Sequence, residues 1–159
     1  MEFFNRIVKP LFAGKYDWIE VRRYAEEKKE YLIKYLRSVA GMGADYILVV
    51  DINSAPCITN KKQSVMETYK NVDEARIVVI IQEIESWYLA GLDDINANNL
   101  GLSSFNNTDN LTKEDFNRLR PQKFKSRVDF MQEILNRFSG ENARQKNTSF
   151  DYFLKKHIL

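Results

Sequence analysis

The chain has 159 residues, the size of one ordinary domain. Hydrophobic residues make up 44% and charged residues 29%, which excludes a disordered chain, a collagen-like chain and a disulfide scaffold. Lys and Arg number 24 against 22 Asp and Glu, and a net charge of +2 dictates no partner, so any preference for nucleic acid has to come from local clustering. One Cys and one His exclude an internal disulfide, a cysteine-rich zinc site and any class built on paired histidines. The longest apolar run, Ile77 to Ile81, is far short of the ~20 residues that span a bilayer, and no basic-then-apolar leader opens the chain. The expectation is a cytoplasmic protein without a membrane partner.

The spacing of Phe3, Phe4, Ile7, Leu11 and Phe12 predicts an opening helix, which Pro10 ends or kinks and Gly14 breaks. Residues 17–22 alternate and predict a short strand. Ala25 to Ala40 is the clearest helix, with Tyr31, Leu32, Tyr35, Leu36 and Val39 as its expected buried stripe and Gly41 and Gly43 as its stop. Tyr46 to Val50 is a continuous apolar run ending in Asp51 and predicts a strand buried on both faces. A helix follows from Asn60 to about Tyr69, then a second buried strand from Ala75 to Ile81 that runs straight into a helix over Glu83 to Leu89. Alternation of this kind predicts a small, mainly parallel, Rossmann-like sheet flanked by helices. The second half reads differently. Asn96 to Asn110 predicts an irregular segment, and helices are expected near Lys113–Leu119, Lys125–Phe138 and Ser149–Ile158. The whole is read as one domain over 1–159, with an α/β core over 1–100 and a helical C-terminal part over 101–159 packed on it.

In a parallel sheet, functional groups gather at the carboxyl ends of the strands, and two acidic features stand there. Asp51 suits magnesium, which takes one or two carboxylates with waters and substrate phosphate, and Asn53 offers a neutral oxygen. The alternative for both is a turn in which Asp and Asn bond their own backbone. Glu83 and Glu85, two residues apart at a strand–helix junction, can converge on a metal at a neighbouring strand end; equally, acids in a first helical turn offset the helix dipole. Arg118, Arg120, Lys123, Lys125 and Arg127 form a segment with five cations and no acid, suited to phosphates, with Phe124 able to stack on a base; a solvated basic helix start is the other reading. Cys57 and His157 are a hundred positions apart and weak candidates for a nucleophile pair. Trp87 is expected in the core.

The stretch Ile47-Leu48-Val49-Val50-Asp51-Ile52-Asn53-Ser54-Ala55-Pro56-Cys57 resembles the Asp-centred strand of a TOPRIM-like family of unknown function, related to the TOPRIM domains of OLD-type nucleases. Arg76 to Ala90 is similar to its most distinctive signature, an apolar strand running into Glu-x-Glu-[Ala/Ser]-Trp, here Glu83-Ile84-Glu85-Ser86-Trp87. Asn147-Thr148-Ser149-Phe150-Asp151-Tyr152-Phe153-Leu154 is similar to its last helix. The resemblance covers most of the chain, from about Phe3 onward. It implies a TOPRIM fold, magnesium or manganese, and phosphodiester transfer or cleavage. Asp51 then matches the first metal aspartate, Asn53 stands where the second belongs, and Glu83 and Glu85 match the family's acidic pair.

Two departures weigh against full activity. Asn53 replaces a carboxylate and brings no charge. The opening strand and its glutamate, within Gly-x-Thr-Glu in the family, have no counterpart, because Met1-Glu2-Phe3-Phe4 aligns with the helix that follows it. Either the native start lies upstream of Met1 or this is a shortened member whose exposed sheet edges a homodimer would cover. Two functions are therefore expected. In the first, the chain is a magnesium-dependent, nuclease-type protein working with an ATPase partner, with Asp51, Glu83 and Glu85 catalytic, Asp51, Asn53 and Glu85 on the metal, and the basic segment on nucleic acid. In the second it is a degenerate module that binds protein or nucleic acid without catalysis. A receiver or dehalogenase-like phosphotransfer domain also uses a strand-end aspartate, but Asn53 stands where the dehalogenase's second Asp belongs.

Overall fold

Two short runs of β-branched and leucine side chains carry the sheet, as their strand preference and lack of polar alternation dictate. In a computed structural model, which describes residues 1–70 and 72–159, β1 (Leu48–Asp51) and β2 (Ile77–Ile80) pair in parallel. Leu48 lies opposite Ile77 and Asp51 opposite Ile80. The chain is thus α/β, with a two-stranded parallel sheet among the described residues. It divides into two compact units, Arg22–Ile80 and Met1–Val21 together with Ile81–Leu159. No described helix is long and apolar enough to cross a membrane.

The unit Arg22–Ile80 holds β1, β2, α2 (Lys29–Gly41) and α3 (Ile58–Tyr69). Its core is almost wholly aliphatic: Leu32 and Leu36 of α2 and Val65 of α3 pack with Leu48, Val50, Val72, Ile77 and Val79. The buried line of α2 is Leu32, Leu36 and Val39, spaced four and three apart. Tyr31, expected in that line, is exposed instead, because it sits about 100° round the helix axis from Leu32.

The other unit is helical. A π-helical turn, Phe4–Val8, leads into α1 (Lys9–Leu11), which Pro10 enters in its first turn and which stops one residue later. After β2 come α4 (Ile84–Ala90), α5 (Asp94–Leu100), α6 (Lys113–Leu119), α7 (Arg127–Leu135), α8 (Gly140–Lys146) and α9 (Thr148–His157). Aromatic rings fill this core. Trp87 lies 5.0 Å from Phe150, Phe3 5.0 Å from Tyr88, and Phe116 5.0 Å from Phe130, all centroid to centroid. Five of the helices start on a side-chain cap: Asp93, Thr112, Ser126, Ser139 and Asn147 each accept a backbone N–H of the first turn. Thr112 with Asp115, and Ser126 with Asp129, close full capping boxes.

Two local expectations fail and one helix goes unread, each for an identifiable reason. Residues 17–22 form no strand, since no described strand pairs with them, and Trp18 is 80% exposed. The Asn-rich stretch from Asn96 is not irregular throughout, because Asp93 caps α5, Ala97 and Leu100 bury its inner face, and Gly101 ends it at φ 90°. Finally, α8 was hidden because Ala143 is its one buried residue, leaving no apolar stripe to read.

Candidate functional site

Asp51 closes β1 and is half-buried. The ladder runs one residue further, with the Ile52 N–H donating to the Ile80 carbonyl at 3.0 Å. The chain then turns through Asn53, which is exposed and left-handed at φ 49°, a conformation Asn tolerates better than most residues. Beside this strand the Tyr24 hydroxyl donates to the Val49 carbonyl at 3.3 Å. Burial pushes the Tyr24 phenol far above its usual pKa, and Tyr69 and Asp51 add to the rise.

The acidic pair occupies the other unit, at the start of α4. Gln82, left-handed at φ 61°, turns the chain from β2 towards the helix, and Glu83 takes the N-cap position. The Glu83 side chain does not cap its own helix. Its Oε2 accepts the backbone N–H of Lys113 at 2.6 Å, at the start of α6. Glu85 is 5% exposed and forms an ion pair with Arg127, the first residue of α7. The Arg127 guanidinium lies 5.8 Å from the Phe116 ring centroid. One helical turn therefore binds the beginnings of two others. A carboxylate at the N-terminus of α6 also offsets the positive end of that helix dipole.

The basic segment is largely committed to internal partners. Arg118 pairs with Asp115, whose carboxyl the Thr112 backbone and hydroxyl and Arg118 together hold below its ordinary pKa. Arg120 donates to the Phe124 carbonyl at 2.6 Å, and Lys123 to the Asn99 carbonyl at 2.9 Å. Arg127 is taken by Glu85. Lys125 is exposed. Cys57 is exposed, with its thiol donating to Asn60 Oδ1 at 2.7 Å, whereas His157 lies in the other unit, 5.8 Å from the Phe153 ring.

The sequence reading missed a buried polar network in the helical unit. Trp87 Nε1 donates to Ser149 Oγ at 2.8 Å, and Ser149 Oγ donates to Asn147 Oδ1 at 2.8 Å. Asn147 Nδ2 donates to Thr108 Oγ1 at 3.0 Å and to Ser86 Oγ at 3.3 Å, while Asn147 Oδ1 accepts the Phe150 N–H at 3.0 Å. The Ser86-Trp87 and Asn147-Thr148-Ser149-Phe150 stretches are thus joined by hydrogen bonds. Their polar residue types at otherwise apolar positions were the available signal. Thr108 gave none.

The donor set does not match a preformed two-carboxylate magnesium site. Glu83 and Glu85 each hold an internal partner, and Asn53 is neutral. Among the described residues, no group of three or more His, Cys, Asp or Glu is arranged to hold a metal ion. A divalent cation at Glu85 would have to displace Arg127, leaving a partly buried guanidinium unpaired. No family model matches the chain, and neither a curated protein nor a solved structure does.

Proposed function

We propose that this chain is a TOPRIM-like module that binds nucleic acid and does not cleave it by itself. The Glu85–Arg127 ion pair carries the reading, because it commits to the fold the acid that metal chemistry would need. Asn53 in place of a carboxylate supports it, as does the internal role of Glu83. The exposed cations of α2, Lys29, Lys34 and Arg37, suit contact with phosphate, whose neutralisation supplies most sequence-independent affinity. The alternative is a magnesium-dependent, TOPRIM-like phosphodiester-acting protein, favoured by Asp51 at the carboxyl end of β1. There Asp51 would hold the ion together with substrate phosphate. Incubation with single- and double-stranded DNA and RNA in Mg²⁺ or Mn²⁺ separates the two. The proposal expects strands that are bound and remain intact. Metal-dependent cleavage that disappears in Asp51→Ala would replace it with the alternative.

A further inference from the structure

Binding to phosphate needs cations that are not already satisfied. In the segment 118–127, four of the five cations hold internal partners. On α2 the situation is reversed. Lys28 at its N-cap, and Lys29, Lys34 and Arg37 within it, are all exposed and form no ion pair among the described residues. Just upstream, Arg22 and Arg23 are neutralised by Glu27 at 2.6 Å and Glu26 at 2.8 Å. Glu30 is the one acid within α2.

Geometry sorts these groups further. Leu32, Leu36 and Val39 take the inner face of α2. Tyr31, Lys34 and Arg37 follow at intervals of three, each about 60° round the axis from the last, so they span about 120° of the outward side over about 9 Å of axis, with Glu30 on the same side one turn before Lys34. Tyr31 is 60% exposed, and its ring makes no aromatic or cation–π contact among the described residues. An aromatic ring set among unpaired cations offers a stacking face that a duplex backbone does not use and an unpaired base does.

We propose that the outward face of α2, formed by Tyr31, Lys34 and Arg37, is the surface that binds single-stranded nucleic acid. The cations neutralise successive phosphates and the Tyr31 ring stacks on a base. This rests on the nucleic-acid reading above and names its surface.

Fluorescence anisotropy with a labelled oligothymidylate of about twenty nucleotides, across a salt series, tests it. The wild-type chain should bind more weakly as salt rises. The double variant Lys34→Glu/Arg37→Glu should lose at least about tenfold in affinity at low salt and lower the slope of log affinity against log salt by about 1.4, two single-strand phosphate contacts. Tyr31→Ala should weaken binding and leave the slope unchanged, since a stacking contact releases no counterion. All these side chains are exposed, so unchanged thermal melting confirms that each variant is folded. If Lys34→Glu/Arg37→Glu binds like wild type and Arg118→Glu/Lys125→Glu does not, the α2 assignment fails and the nucleic-acid reading stands. If the wild-type chain binds no nucleic acid at low salt, both fail. Equal affinity for duplex, with no effect of Tyr31→Ala, overturns the single-strand assignment.

Discussion

The two units reach their folds by different means. Arg22–Ile80 is an aliphatic core between a parallel strand pair and two helices, and its buried side chains need little beyond shape and hydrophobicity. The helical unit packs Phe, Tyr and Trp rings around a buried hydrogen-bond network, and fixes its helix starts with side-chain caps. Polar groups inside a core act in both directions. Satisfied, they specify one arrangement; deprived of a partner, they cost more than a lost contact. The helical unit should therefore be the one that single polar substitutions unfold, while the sheet unit should respond mainly to loss of volume.

The largest expected effect is at α4. Glu85→Gln leaves Arg127 without its counter-charge, and breaking such a pair from one side costs about 3 kcal/mol. Urea unfolding followed by the fluorescence of buried Trp87 measures it. Restoration of stability by Glu85→Leu with Arg127→Met would show that the charges are replaceable by packing; failure to recover would sharpen the case for a specifying role.

Asn147→Ala comes next, at about 2 kcal/mol, because it strips partners from Ser149, Thr108, Ser86 and the Phe150 N–H together. Hydrogen exchange should show lost protection in α4 and α9, with β1 and β2 far less affected. Equal loss in the strands would erase the contrast between the units.

A pair of glycines gives a steric test of similar or smaller size. A Cβ on Gly91 would meet the Phe138 ring at 2.1 Å, so Gly91→Ala should destabilise by about 1–2 kcal/mol, whereas Gly140→Ala meets nothing within 4 Å and should be neutral or slightly stabilising. Thermal melting of the two variants reads the difference.

How legible this was in the sequence depended on the unit. In the sheet unit, Leu48–Asp51 and Ile77–Ile80 announced themselves as apolar runs, and Leu32, Leu36 and Val39 as a helical stripe. Tyr31 was misplaced because an aromatic beside a stripe looks apolar whichever way it points. In the helical unit, α8 had no stripe, and only its Ser139 cap marked it. For the candidate site, positions were readable and partners were not. Glu83 and Glu85 stand at the start of α4 as spacing implied, but the contacts to Lys113 and Arg127 arise from long-range packing that no local pattern encodes.

The smallest effect is in acid. Lys155 holds the Asp151 carboxyl below its ordinary value of 3.8, with Arg144 assisting and burial opposing. A carboxyl with a depressed folded pKa stabilises fully above its unfolded value, and that stabilisation is lost as pH falls through the folded one. Stability should thus decline below about pH 4, and Asp151→Asn should flatten the decline without altering its midpoint at Arg22–Ile80 probes. Denaturation at a series of pH values checks this.

On the function proposed above, the acids following β2 serve the fold and not a metal. Calorimetric titration of Mn²⁺ into the wild-type chain, Asp51→Ala and Glu85→Gln tests it most directly. No saturable binding is expected in any of the three. Saturable binding by the wild-type chain that is lost in both variants, with both still folded, would contradict it.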